Sequence, residues 1–231
     1  MSFLQVVSFL WDGFEISLII FAVTLLLGAP LGLPIAFCSM SKWWPIKALS
    51  KTIVWIIRGI PLMLQIFIIY YVPGLVFDYP IFTDFEKQMY LRTGQWGAGA
   101  LLAVLIAFTL NYACYFSEIY RGGIESISHG QYEAGYVLGL TKSQIFRKIV
   151  LKQVIKRIVP PMSNEIITLI KDTALANTIM VAEVMYQANK LAAEKQLIWP
   201  LFFTGAFYLV FVGILTIVLG KLEKKLDYFK S

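Results

Sequence analysis

Charged residues are scarce in this sequence: only 15% of its 231 residues are Asp, Glu, Lys or Arg, whereas 58% are hydrophobic. Because soluble domains usually carry about 25% charged residues, a soluble fold is excluded. Three long stretches, 16–40, 97–117 and 197–220, contain no charge at all. A helix needs about twenty residues to cross the hydrocarbon core of a bilayer. These stretches therefore predict three membrane-spanning helices and exclude disordered, collagen-like and nucleic-acid-binding proteins.

Histidine, cysteine and nucleotide-binding motifs are also scarce or absent. The single histidine, His129, excludes a metal site built from histidines, and no metal is expected. We interpret Cys38 and Cys114, which fall in different predicted spans, as small buried apolar residues rather than a disulfide framework. The sequence has no Gly-x-x-x-x-Gly-Lys-Ser/Thr run, so this chain is not expected to hydrolyse ATP or to hold a cofactor. Residues 1–13 contain no Lys or Arg, which argues against a cleavable signal.

Two further stretches are less apolar. Residues 53–77 are interrupted by Arg58 and Gln65, and residues 158–182 carry several polar and charged groups. The distribution of Lys and Arg decides whether the second stretch crosses, because basic loops stay on the cytoplasmic side. Only if residues 158–182 cross do the basic loop at 122–157 and the basic tail both lie in the cytoplasm.

The charge pattern thus predicts an all-α membrane protein of five helices, with the N-terminus outside and the C-terminus in the cytoplasm. The acidic connection at 78–96 then lies outside, and the net charge of +6 is explained by the membrane, without a nucleic-acid partner. We expect one domain over residues 1–231. Its spans are predicted at about 14–40, 53–77, 97–120, 158–182 and 197–220.

Polar side chains recur at helical spacing within the second, third and fourth predicted spans. Polar groups in hydrocarbon are costly unless they are paired or face water. We therefore predict that the polar stripes face one another around a translocation path, with the first and fifth helices toward lipid or a partner. Alternatively, Glu118 forms only a local ion pair with Arg121, or the asparagines hydrogen-bond between helices. The candidate path residues are Arg58, Gln65, Asn111, Tyr115, Glu118, Asn164, Glu165, Thr168, Lys171 and Asp172.

The basic loop at 122–157 contains residues that typically cap the ends of helices. Ser128 and Gln131 have capping-box spacing, and a helix from about Gly130 is predicted to end at Gly139. Thr141 and Gln144 repeat the capping box and open a second, amphipathic helix. We call residues 130–140, with their glycine turn, the docking knob, because such a compact cytoplasmic projection suits contact with another protein.

In this loop the sequence resembles the membrane subunits of ABC importers for polar amino acids. The signature of that family is Glu-Ala-Ala, three residues, Gly, nine residues, Ile, one residue, Leu-Pro. This chain has Glu133-Ala134-Gly135, then Gly139, Ile149 and Leu151, and it departs at Gly135 and Lys152. Residues 58–65, 118–124 and 171–176 also resemble the amino-acid branch.

The resemblance implies a type I ABC importer permease fold in the cytoplasmic membrane of a prokaryote. It also implies a second permease chain, identical or similar, a pair of cytoplasmic ATPase subunits that bind ATP and Mg, and an extracytoplasmic solute-binding protein. The chain itself would have no catalytic residue and would move a polar amino acid across the lipid bilayer. By resemblance, the ATPase contacts lie at Tyr132, Glu133, Ala134, Gly135, Val137, Leu138, Gly139 and Leu140.

Two other functions compete with this one. A self-sufficient, ion-coupled secondary amino acid transporter would explain the charged groups of the fourth span, but it leaves the docking knob without a role. A membrane scaffold without a path would use the polar groups only for assembly. The mixed signs of the path residues fit a zwitterion, so glutamine, arginine, histidine and cystine all remain open as substrates.

Overall fold

The described parts of the chain, residues 3–94 and 96–226 of a computed structural model, are helical and contain no strand. The α-helices are α1 (Phe3–Ser39), α2 (Trp44–Gly59), α3 (Leu62–Val76), α4 (Ile81–Thr93), α5 (Ala98–Glu125), α6 (Gly130–Val137), α7 (Lys142–Ile145), α8 (Leu151–Asp172), α9 (Val184–Lys195) and α10 (Trp199–Leu226). A π-helical segment, Phe146–Val150, joins α7 to α8, and a 3-10 helix, Thr173–Ile179, follows α8.

Three described helices, α1, α5 and α10, are long and apolar enough to cross a membrane, as predicted. The predicted second span is not one straight helix, because α2 and α3 meet at an angle of 103°. The break follows from Pro61, which pushes the preceding residue out of helical conformation, and Ile60 has φ −99° and ψ 131°. Gln65 satisfies two carbonyl groups at the break, since its Nε2 donates to Ile57 O at 2.6 Å and to Ile60 O at 2.8 Å.

The polar fourth stretch continues from the cytoplasmic loop without interruption. The capping box of Thr141 and Gln144 forms as predicted and starts α7, which runs through the π-helical segment into α8. The second loop helix and the predicted fourth span are therefore one rod. Because it is polar, α8 is absent from the described helices that are apolar enough to span by composition alone.

Helix α5 forms the centre of the bundle, and α1 packs closely along it. Gly28 and Gly32 of α1 face α5, and a Cβ atom at Gly32 would lie 2.9 Å from Phe116 Cβ and 3.0 Å from Ala113 O. The expectation that the first helix faces lipid or a partner is thus wrong for the side of α1 that packs against α5. Helix α10 is exposed, as expected, and only 6% of its most apolar 18-residue stretch is buried.

Two helices that the sequence did not predict, α4 and α9, lie in the connections after the second and fourth predicted spans. Glu86 of α4 accepts hydrogen bonds from the backbone N–H groups of Gly97 and Gly99, at the start of α5. Glu183 caps α9 by accepting from Met185 N at 2.8 Å and Tyr186 N at 2.7 Å. Glu183 is fully buried just beyond the predicted fourth span, and burial raises its pKa to about 7.

Two local predictions are wrong. Cys38 is exposed on α1, whereas Cys114 is buried as predicted. The first capping box does not form, because the N-cap of α6 is His129 and Ser128 Oγ only accepts a bond from Gly130 N at 3.3 Å. Gln131, the expected partner of Ser128, instead accepts from Gln153 Nε2 at 2.9 Å, which ties α6 to the long rod.

Candidate functional site

A cavity of about 530 Å³ lies where the α2–α3 break meets α5 and α8. This volume is within the range of small-molecule sites in proteins. The α2–α3 break supplies one wall, α5 and α8 supply side chains to the others, and Leu175 of the 3-10 helix completes the lining. The lining residues are Arg58, Gly59, Ile60, Pro61, Leu62, Asn111, Tyr112, Tyr115, Glu165, Thr168, Asp172 and Leu175.

Two carboxylates of α8 line this cavity. Glu165 and Asp172 are seven residues apart, so they lie on one helix face about 10 Å apart along the axis. Tyr112 Oη donates a hydrogen bond of 2.7 Å to Asp172 Oδ2, which fixes the position of that carboxylate. Among the described residues, no lysine, arginine or histidine forms an ion pair within 4.0 Å of either carboxylate.

Arg58 supplies the positive charge of the cavity. Its guanidinium group lies 4.8 Å from the centre of the Tyr115 ring and 3.6 Å from Glu118 Oε2. Glu118 is bound more closely by Arg121, which donates from Nε at 3.0 Å and from Nη2 at 2.7 Å. Arg121 also donates to Glu125 at 2.6 Å. The ion pair considered as an alternative for Glu118 and Arg121 is therefore present, and Arg58 forms a longer ion pair with the same Glu118 carboxylate.

The structure brings six of the ten candidate path residues to the cavity wall: Arg58, Asn111, Tyr115, Glu165, Thr168 and Asp172. The other four lie elsewhere. Gln65 is buried in the α2–α3 break, and Glu118 lies in the ion-pair cluster beside the cavity. Asn164 and Lys171 are exposed and are not part of the lining.

The sequence reasoning missed Tyr112, which holds Asp172 and lines the cavity. A signal was available, because Tyr112 precedes Tyr115 by three residues, the spacing of neighbours on one helix face. It also missed Gly59 and Ile60, which form part of the wall. That contribution had no sequence pattern of its own, since it depends on the angle between α2 and α3.

The docking knob is exposed at its apolar tip. Tyr136, Val137 and Leu138 have exposed fractions of 54%, 88% and 74%. Gly139 has φ +70°, the left-handed conformation predicted for it, and Leu140 N then bonds back to Gly135 O at 3.1 Å. Glu133 and Ala134 are also exposed, whereas Tyr132 and Leu140 are half-buried.

Gly135 replaces an alanine of the signature, and the structure gives a reason. A Cβ atom at Gly135 would lie 2.6 Å from Cγ1 and 2.8 Å from Cδ1 of Ile145. Gly135 is buried, and Ile145 packs directly against it at the end of α7. Ile145 therefore occupies the space that an alanine methyl group would need, and the knob contacts α7 there.

Apolar helices that enclose a cavity lined by charged groups are typical of membrane transport proteins. The model of one family, the binding-protein-dependent transport system inner membrane component, matches residues 28–228. The chain belongs to this family.

Relatives extend over nearly the whole chain. It is 34% identical to the arginine transport system permease protein ArtQ of Bacillus subtilis, over 95% of this chain and 93% of the relative. It is 34% identical to the L-cystine transport system permease protein TcyB of B. subtilis, over 90% and 82%. Against the arginine ABC transporter permease protein ArtM of Haemophilus influenzae the identity is also 34%, over 99% and 96%.

Solved structures agree with the fold. An amino acid ABC transporter crystallised with histidines matches with a TM-score of 0.78 and 27% identity, covering 97% of this chain and 99% of that chain. The inward-facing MetNI methionine ABC transporter matches with a TM-score of 0.67 at 15% identity, over 98% of this chain and 100% of that chain. At 15% identity, the match to MetNI shows similarity of the fold alone.

Proposed function

We propose that this chain is the permease subunit of an ATP-driven importer for a polar amino acid. The observation that carries the proposal is the cavity between the α2–α3 break, α5 and α8, whose wall holds Arg58 and two carboxylates. A zwitterion needs groups of both signs, and the lining of this cavity supplies both. The names of the relatives, which include arginine and cystine permeases, support an amino acid as the transported solute.

The partners follow from the family. A chain of a binding-protein-dependent system is fed by an extracytoplasmic binding protein, and we infer that a pair of ATPase subunits supplies the energy. A second permease chain, identical or similar, would complete the core in the inner membrane of a prokaryote. The docking knob supports the ATPase contact, because its apolar tip is exposed and its base is fixed to the long rod of α7 and α8.

Transport is driven by movement of that rod. When the ATPase pair closes on ATP, the docking knobs of the two permease chains are drawn together. Because α7 and α8 are continuous through the π-helical segment, displacement at the knob is passed along α8, past Pro160 and Pro161, toward Glu165 and Asp172. The solute enters from the binding protein and leaves toward the cytoplasm after the ATPase pair reopens.

For the topology we propose five spans, with α8 and the 3-10 helix as the polar fourth. The basic loop at 122–157 and the basic tail support a cytoplasmic location of both. A reporter fused after Ser231 is expected to be accessible only from the cytoplasmic side. A reporter placed between Asp78 and Tyr79 is expected to be accessible only from outside. A tail that is accessible from outside would contradict the count of five.

Reconstitution of the permease with its ATPase and binding protein in proteoliposomes tests the function. We expect at least one amino acid, delivered by the binding protein, to raise ATP hydrolysis and to accumulate inside, because the partners are coupled through the docking knob. An ion gradient without ATP should drive no uptake. Uptake that persists after ATP depletion and follows an ion gradient would instead support the secondary transporter.

A further inference from the structure

A second cavity, which we call the crevice, lies between α1 and α2 and shares no lining residue with the charged cavity. Its volume of about 310 Å³ is at the lower end of the range for small-molecule sites. The Ser50 hydroxyl group in its lining is already bonded, since it donates to Ile35 O at 3.2 Å and lies 2.9 Å from Ser39 Oγ. The crevice therefore suits a hydrocarbon group. Its other lining residues are Pro34, Ile35 and Cys38 of α1 and Ile46, Leu49 and Ile53 of α2.

The crevice opens toward the cytoplasmic leaflet of the bilayer. Under the proposed topology α1 ends in the cytoplasm at Ser39, and α2 begins four residues later. Trp43 and Trp44 at the start of α2 are exposed, and exposed tryptophan is enriched where membrane and water meet. Because α2 meets α3 at 103°, it runs along the membrane and does not cross it in line with α3. The lining residues of α2 thus lie close to the lipid headgroups.

Three lysines flank the lining residues in the sequence: Lys42, Lys47 and Lys51, which we call the crevice lysines. All three are exposed, and the sequence has no acidic residue between positions 16 and 77. Within residues 3–94 and 96–226, none of them forms an ion pair within 4.0 Å. Lys47 and Lys51 are four residues apart on one face of α2, where like charges repel each other. An anion from outside the described chain would relieve this repulsion.

We propose that the crevice and the crevice lysines form a binding site for one anionic phospholipid of the cytoplasmic leaflet. An acyl chain occupies the crevice, and the lysine ammonium groups bind the phosphate group. Lysine side chains extend along apolar surface and keep the ammonium group in water, so they reach the headgroup level. Basic residues on the cytoplasmic side of a membrane attract anionic lipids. A zwitterionic lipid would fill the crevice equally well, but it would bring a second cation to the lysines.

Charge argues against a second permease chain as the occupant. A two-fold contact through this face would place identical patches against each other, so the crevice lysines of both chains would meet. Like charges brought together across an interface are costly. The bilayer, in contrast, supplies hydrocarbon and negative charge at the same depth, which is the combination that the crevice and its lysines present.

Cys38 reports occupancy of the crevice directly, because it is exposed and belongs to the lining, whereas Cys114 is buried. The experiment measures how fast N-ethylmaleimide alkylates Cys38 in the detergent-purified permease–ATPase complex, by mass spectrometry of the peptide that contains it. Dioleoyl phosphatidylglycerol is compared with dioleoyl phosphatidylcholine, which has the same acyl chains. We expect phosphatidylglycerol to slow alkylation about tenfold at about ten times its dissociation constant, and phosphatidylcholine to protect far less at the same concentration. Equal protection by both lipids would overturn the proposal.

A variant without the three charges tests the role of the lysines. It combines Lys42→Gln, Lys47→Gln and Lys51→Gln, and we expect protection by phosphatidylglycerol to fall to the level of phosphatidylcholine. Arginine at the same three positions should restore the difference between the lipids, because it keeps the charge. If the glutamine variant still prefers phosphatidylglycerol, the lysines do not bind the lipid and the assignment is wrong.

The matched control removes three exposed lysines from the cytoplasmic end of α10, outside the crevice. It combines Lys221→Gln, Lys224→Gln and Lys225→Gln, and it should leave the protection of Cys38 unchanged. If this control loses protection as fully as the crevice variant does, the effect is one of overall charge and the site is contradicted.

A second permease chain over this face would give a different result. Cys38 would then react slowly in the complex stripped of lipid, and neither lipid would change its rate. That outcome would overturn the lipid site. It would leave the proposed function intact, because that function is tested by amino-acid-stimulated ATP hydrolysis and not by alkylation of Cys38.

Discussion

Charge reversal at Glu133 will abolish amino-acid-stimulated ATP hydrolysis while the chain still inserts and folds. Glu133 is exposed in the first turn of α6, where its carboxylate suits both the helix dipole and a basic groove of a partner. Glu133→Lys reverses both interactions, and we expect more than a tenfold loss of stimulated hydrolysis in proteoliposomes. Glu133→Gln, which removes the charge without reversing it, should retain an intermediate rate.

Gly139→Val should uncouple transport for a different reason. Gly139 has φ +70°, and a β-branched residue in this left-handed region costs about 1–2 kcal/mol, which would displace the exposed tip of the docking knob. Gly122→Val is the matched control, since a side chain at Gly122 also has nothing within 4 Å but meets no such backbone conformation. If the ATPase no longer co-purifies with a variant, docking is weakened. If the ATPase co-purifies but stimulated uptake is lost, the movement is not transmitted to the cavity. Normal stimulated uptake by Glu133→Lys and Gly139→Val would contradict the role of the knob.

A single methyl group at Gly32 should destabilise the whole bundle. The new Cβ atom of Gly32→Ala would lie 2.9 Å from Phe116 Cβ and 3.1 Å from Ser117 N, so the α1 and α5 backbones must separate. Overpacking of this kind costs about 1–3 kcal/mol. We expect a lower midpoint of thermal unfolding for the detergent-purified complex, and Gly32→Leu should prevent accumulation of folded protein.

Gly28→Ala provides the comparison one helical turn away on the same face of α1. Its nearest neighbours would be Ala113 N and Tyr112 Cβ at 3.5 Å, which is ordinary van der Waals contact. Both variants gain the same helix propensity from alanine, so the difference between their unfolding midpoints reports packing alone. Equal midpoints for Gly28→Ala and Gly32→Ala would show that the α1–α5 interface is not as tight as described.

Much of the helical framework follows from the sequence because the bilayer imposes a simple rule. Charge-free runs must become helices in hydrocarbon, and α1, α5 and α10 are found where those runs occur. Local backbone chemistry was predictable in part, since one of the two predicted capping boxes forms and the other does not. The left-handed Gly139 and the capping box of Thr141 and Gln144 depend only on residues close in the chain.

The bend between α2 and α3, and the distribution of the polar residues, were not predictable in this way. A proline marks the break, but the 103° angle depends on how α3 packs against α5. That angle brings Arg58 and the backbone of Gly59 to the cavity and turns Gln65 inward to the freed carbonyls. Likewise Glu183 lies in the connection between the fourth and fifth predicted spans, yet it is fully buried as the cap of α9.

The scarcity of charge in the sequence determined that this protein lies in a membrane, and the residues around Gly139 determined the left-handed turn of the docking knob. Only the tertiary structure decided which of the few charges share one cavity. Periodicity places side chains on a face of a helix, but it does not say which face meets which. The packing of α8 against α5 settles this for Glu165 and Asp172, and it leaves Lys171 exposed outside the cavity. The contacts between helices, which no pattern along one helix encodes, therefore decided which charged groups line the cavity.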